Sequence, residues 1–126
     1  MLKNSIAVAV GGALGAYLRF VTTLWIPHSS FPYHTFFQNI VGSFVLGALT
    51  AYFSLRTSRE WIKVGLGTGV CGGFTTFSTL AFDAVFLKST EEFLLYISIS
   101  LVFGLLAVFL GARFVRKFVK ERGVSK

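Results

Sequence analysis

The chain has 126 residues, of which 54% are hydrophobic and only 13% charged, and its mean hydropathy is +0.72. A soluble domain usually carries about 25% charged residues, so this composition excludes an ordinary water-soluble globule. The net charge of +7 invites a nucleic-acid partner, but the basic residues gather at the ends of apolar stretches, where they anchor membrane spans, and no nucleic acid is expected.

Four apolar stretches approach or exceed the roughly 20 residues that cross a bilayer core, and together they make one transmembrane domain over residues 1–126. The first is read over residues 4–26, where Tyr17 and Arg19 are the only ionisable residues. Lys3 before an apolar run looks like the start of a signal peptide. The run outlasts such a peptide and lacks a small-residue cleavage site before Arg19, so it is expected to stay as a helix. A connection follows with Pro27, Pro32 and the interfacial aromatics Trp25, Phe31 and Tyr33; His28 and His34 lie in or beside it.

The second span is read over 33–54, with no Asp, Glu, Lys, Arg or His from Phe36 to Leu55. Thr35, Asn39 and Ser43 recur every four residues, so they form one polar row on an apolar helix, with Gln38 beside it. Arg56, Arg59 and Lys63 mark the next connection.

The third span is read over 62–87 and contains Gly69-Val-Cys-Gly-Gly-Phe-Thr-Thr-Phe-Ser-Thr79. Glycine and hydroxyl residues weaken a helix. A break at mid-membrane depth would free carbonyl and N–H groups that lipid cannot satisfy, and it is tolerated only where it is buried in protein or faces a polar cavity or an ion. The alternative is an unbroken helix whose hydroxyls bond back to the preceding turn. Gly67-Thr-Gly-Val-Cys-Gly72 fits a dinucleotide pattern, but it follows no strand and no acid lies about 20 residues further on. Asp83 is the sole intramembrane acid, Glu92 standing at the first residue of the fourth span, and Cys71, the only cysteine, permits neither an intrachain disulfide nor a thiolate metal site.

The fourth span is read over 92–114, after Lys88-Ser-Thr-Glu-Glu92, in which Ser89 or Thr90 can cap it. Tyr96, Ser100 and Gly104 continue one row at four-residue spacing. Arg113, Arg116, Lys117, Lys120, Arg122 and Lys126 make the tail basic. The short connections predict that consecutive helices are antiparallel neighbours. Gly11/Gly15 and Gly65/Gly69 are GxxxG pairs that suit close helix contact, within the chain or between copies. With the N-terminus inside, ten basic residues lie on the cytoplasmic side, against Lys88 and a snorkelling Arg19 outside.

Rows of amides and hydroxyls in lipid serve as helix–helix contacts or line a wet path. Two rows and a hydroxyl-rich break favour a path. No ring of acids marks it for cations; its donors are amides, hydroxyls, Arg19 and the positive edges of some of the 15 phenylalanines, which suit a small anion. No nucleophile, histidine and acid come together in the sequence, so an enzyme is not expected.

Gly11-Gly-x-x-Gly-Ala-x-x-Arg19-Phe20, Asn39-x-x-Gly42-Ser-Phe-x-x-Gly47 and Gly72-Gly-Phe-Thr-Thr-Phe-Ser-Thr79 occur in this order on the first three spans. This set resembles the CrcB/Fluc family of fluoride channels. The resemblance implies four transmembrane helices per subunit with the third broken, an antiparallel, dual-topology dimer in the bacterial cytoplasmic membrane, and two pathways that release fluoride passively. It implies a structural sodium ion at the dimer centre, held by the backbone carbonyls of Gly72 and Thr75. It places Asn39, Phe77, Thr35, Thr79, Tyr96, Ser100, Asp83 and Arg19 on or beside the fluoride pathway. Ser43 joins them from the row on the second span. Leu80 departs from the family pattern, which has a second phenylalanine there; the expectation is that Phe77 and residue 80 share one face and flank the anion. The charge count favours one orientation while the resemblance implies both, so a paralogous partner subunit is the alternative to a second copy. A small drug exporter is the rival class, but it needs a glutamate in the first span, and that span has no acid.

Overall fold

The computed structural model describes residues 1–26 and 31–121. Pro27 and His28 of the first connection, and Arg122 and Lys126 of the tail, lie outside the described residues. Every described element is helical: α1 (Leu2–Trp25), α2 (Tyr33–Leu55), α3 (Glu60–Val64), a π-helical segment (Gly65–Cys71), α4 (Gly72–Phe74), α5 (Phe77–Val85) and α6 (Thr90–Glu121). Three of them, α1, α2 and α6, are long and apolar enough to cross a membrane. The third apolar stretch is divided instead. It widens into a π-helix where glycine recurs in Gly-Leu-Gly-Thr-Gly, and it leaves helical geometry at Thr75 and Thr76.

The helices do not pack chiefly in chain order. Helix α1 lies along α3, the π-helical segment and α4, while α2 lies along α6; α1 and α2 touch much less. This corrects the expectation of consecutive neighbours, and the glycines supply the reason. A methyl group at Gly11 would overlap the carbonyl oxygen of Gly65, and one at Gly15 would overlap that of Val70. The Cβ position of Gly69 lies 3.0 Å from the Cα of Gly11. The two GxxxG pairs thus meet each other inside one chain. On the other pair, Gly47 meets the backbone of Val108 and Gly111 meets that of Phe44. Where packing rather than water drives association, backbones that touch this closely decide the partners.

The fully buried side chains are few, and three of the largest, Tyr96, Gln38 and Thr35, are polar or carry a polar tip. Large apolar side chains such as Leu105, Phe109 and Leu110 point outward, as suits a molecule whose solvent is lipid. The start of α6 is capped as the sequence suggests: Ser89 Oγ accepts from Glu92 N–H at 3.1 Å, and Glu92 Oε2 accepts from Lys88 N–H at 3.1 Å.

Candidate functional site

The break is built from three threonines and one asparagine. Thr75 and Thr76 are extended, with φ/ψ of −76°/157° and −150°/121°. Thr76 caps α5: its hydroxyl accepts from Thr79 N–H at 3.1 Å and donates to the Thr79 hydroxyl at 2.9 Å. Thr75 bonds back to Cys71, through its hydroxyl and its N–H, each at 2.9 Å. The break and the back-bonded hydroxyl, alternatives in the sequence, therefore coexist one residue apart.

Asn39 closes the gap from α2. Its Nδ2 donates to the Thr76 carbonyl at 2.9 Å, and its Oδ1 accepts from Thr76 N–H at 2.7 Å. In an unbroken helix that N–H would bond the Gly72 carbonyl. The side-chain amide thus replaces the ladder, satisfies both exposed groups of Thr76 and diverts the Gly72 carbonyl from its usual donor. One hydrogen of the amide is left over, since the group carries two. From the α1 side, Arg19 Nη1 reaches the Thr75 carbonyl at 3.4 Å.

Above the break lies a second polar cluster. Thr35 Oγ1 donates to Asp83 Oδ2, and Tyr96 lies beside both. Tyr96 is wholly buried, with the ring of Phe31 edge-on at 5.4 Å and 88°. Its hydroxyl points toward Thr35, while that of Ser100 is buried without a hydrogen-bond partner among the described residues. Such a group costs about 1–3 kcal/mol, so Ser100 leaves a donor in this row open to water or an anion. The row on α6 faces the row on α2: the Cβ position of Gly104 is 3.7 Å from Ser43 Oγ.

A groove of about 320 Å³ brings together Asn39, Ser43, Thr75, Phe77, Leu80 and Ser100. Thr35, Asp83 and Tyr96 sit beyond it, Thr79 connects to it only through Thr76, and Arg19 lies on the α1 side. Gly72 is exposed, with open space where a Cβ would stand. Phe77 and Leu80 both line the groove but differ sharply: Phe77 is 75% exposed, whereas Leu80 is 4% exposed and packs with Ala84 and Tyr96. At 3.6 residues per turn, a separation of three leaves them about 60° apart around the helix axis, enough for one to face outward and the other the core. Leu80→Phe is therefore expected to cost about 1–3 kcal/mol through overpacking and to alter flux per folded protein less than Phe77→Leu does. Melting curves and flux normalised to folded protein check this; a faster rate at unchanged stability would restore residue 80 to the anion's side.

Two residues outside the expected set carry much of this arrangement. Thr76, rather than Thr75, is the pivot. Gln38, 1% exposed, directs the two hydrogens of Nε2 at three acceptors, the Arg19 carbonyl at 3.0 Å and the hydroxyls of Thr22 and Thr23 at 2.8 and 2.9 Å, so one hydrogen is shared. It ties α2 to α1 where Arg19 turns toward the break. The only signal for Gln38 in the sequence is an amide within an apolar span, where a polar group must find a partner.

Apolar helices pressed together through glycine, a helix broken inside the bundle and a polar seam with unused donors define an all-helical, multi-pass membrane protein of the channel type. The model of the family described as CrcB-like protein, Camphor Resistance (CrcB), matches residues 6–112. The chain belongs to this family. It is 44% identical to the fluoride-specific ion channel FluC 2 of Halalkalibacterium halodurans, over 96% of this chain and 92% of that protein. It is 42% identical to FluC 2 of Bacillus subtilis, over 96% and 100%, and 41% identical to FluC 1 of Listeria monocytogenes, over 88% and 96%. These relatives are named as ion channels, not enzymes.

Proposed function

We infer that this chain is a subunit of a fluoride-specific channel that lets the ion leave the cell passively across the bacterial cytoplasmic membrane. The observation that carries the reading is the seam between α2 and α6, where the Thr35–Asn39–Ser43 row faces Tyr96, Ser100 and Gly104 beside a helix break. The unpartnered Ser100 hydroxyl and the spare Asn39 amide hydrogen give an anion donors without the tight hold of a cation. The names of the similar channels supply fluoride. Efflux of fluoride from proteoliposomes, read with an electrode, tests it; no efflux above empty vesicles, or equal efflux of chloride, overturns it.

On this reading α3, the π-helical segment, α4 and α5 together form the third of four spans. The groove at Asn39 and Phe77 is open on one side in the single chain, and a second subunit in antiparallel orientation would close it. The donors at the break suit sodium: the Gly72 carbonyl is diverted from its helical partner, and the Thr75 carbonyl keeps a lone pair beside its long bond to Arg19. Two carbonyls are too few for a hard cation, so a second subunit would supply the rest, and the ion would act as a clamp between them. Thr75→Val, which keeps the carbonyl, is expected to retain flux better than Gly72→Pro, which changes the backbone, and replacing sodium with a larger cation should lower flux in both native and Thr75→Val protein. Equal flux after proven sodium removal would count against the ion.

A paralogous partner is the second reading, favoured by the one-sided distribution of basic residues. A cysteine placed in the tail and probed with an impermeant thiol reagent in native membranes reports orientation. For the dimer of identical chains, labelling from both sides is expected; labelling from one side alone points to the paralogue.

A further inference from the structure

The last turns of α6 carry four basic residues on one face. Arg113, Arg116, Lys117 and Lys120 are spaced by three, one and three residues and so share a stripe. That stripe lies opposite Gly111, whose face is pressed against the backbone of Phe44, and it therefore points away from the bundle. It forms one end of a groove of about 690 Å³ whose other end is lined by Leu105, Val108, Phe109 and Ala112. The only acid near it among the described residues is Glu121, 4.0 Å from Lys117, with both side chains mostly exposed.

The depth of the stripe is set by the length of the helix. The 32 residues of α6 extend about 48 Å at 1.5 Å each, against about 30 Å of hydrocarbon. The uncharged run Phe93–Ala112 fills the hydrocarbon, so Arg113 to Lys120 emerge among the headgroups. Leu105 and Val108 also line the groove at Asn39, so a ligand that fits here has an apolar chain for Phe109 and Ala112 and an anionic head, further along, for the cations. A zwitterionic lipid offers no net charge to balance four cations, and a soluble anion makes no use of the apolar half.

We propose that the groove along the C-terminal half of α6 is a binding site for an anionic phospholipid, with its phosphate on Arg113, Arg116, Lys117 and Lys120 and an acyl chain beside Phe109 and Ala112. The site holds a lipid of one charge class at the end of the helix that supplies the Tyr96–Ser100 row, and so couples membrane composition to α6.

The test is lipid retention, independent of flux. Native protein and its variants are purified from mixed micelles containing equal amounts of phosphatidylglycerol and phosphatidylcholine, and the lipids that stay bound are weighed by native mass spectrometry. The native chain is expected to retain phosphatidylglycerol preferentially. Each Arg or Lys exchanged for Gln should reduce that preference about fivefold, the factor equivalent to about 1 kcal/mol per basic residue near an anionic surface, with Arg113→Gln/Arg116→Gln/Lys117→Gln/Lys120→Gln losing it altogether. Phe109→Ser keeps every charge and should weaken retention of either lipid. Equal retention of the two lipids by the native chain overturns the proposal. So does undiminished preference in the quadruple variant, or displacement of the lipid by millimolar inorganic phosphate to the same extent in native and Phe109→Ser protein. A dimer that seals this face, seen as no bound lipid at all on the folded native protein, also overturns it.

Discussion

Asn39→Asp is expected to abolish fluoride flux while leaving most of the protein folded. The two side chains have nearly the same shape, so Oδ1 can still accept from Thr76 N–H, now at 2.7 Å in the native chain. The other atom changes from a donor to an anionic acceptor and faces the Thr76 carbonyl, which Nδ2 now meets at 2.9 Å. The carbonyl loses its partner, at a cost of about 1–3 kcal/mol, and gains a repulsive neighbour. The last free amide hydrogen is lost as well, and a fixed negative charge stands in a path meant for an anion, where low dielectric strengthens repulsion. Stability and flux measured on the same preparation separate the two effects. A modestly lowered melting temperature with no flux is the expected pair. Undiminished flux would remove Asn39 from the pathway and leave it only as the clamp of the break.

The second large effect is expected at a residue with no side chain. Gly47→Ala adds one methyl group where the Val108 backbone already stands, with its Cα and carbonyl carbon each 2.8 Å from the Cβ position. Backbone cannot rotate aside as a side chain can, so α2 and α6 must separate. Separation would open the seam that holds both polar rows, and flux and folded yield should fall together, with a loss of about 1–3 kcal/mol or more. Gly12→Ala is the control. It adds the same atoms to a helix, but nothing lies within 4 Å of the position, and alanine is the better helix former by about 0.5–1 kcal/mol. Size-exclusion profiles and melting curves of the pair should diverge; similar behaviour would mean that α2 and α6 are held by something other than this contact.

Features that arise from local chemistry were legible in the order of residues. Apolar length set the stretches, Ser89 or Thr90 was legible as the cap before α6, and glycine with clustered hydroxyls marked where the third stretch could break. Spacing alone placed Thr35, Asn39 and Ser43 on one face and Tyr96, Ser100 and Gly104 on another. The ordered motifs pointed to the family. Contacts between residues far apart in the chain were not legible, and they emerged only once the helices packed. Packing joined α1 to the π-helical segment and α2 to α6, because backbone oxygens lie where the glycines would carry a methyl group, and no chain-order rule encodes that. It gave both ends of the Asn39 amide to Thr76, 37 residues away, and brought Gln38 against the Arg19 carbonyl on another helix. It buried Leu80 and left Phe77 exposed in the same groove, since helical spacing gives an angle between two side chains but not which of them meets Tyr96. A side chain in lipid takes its role from whatever polar group it is packed against, and that partner is fixed only when the helices have met.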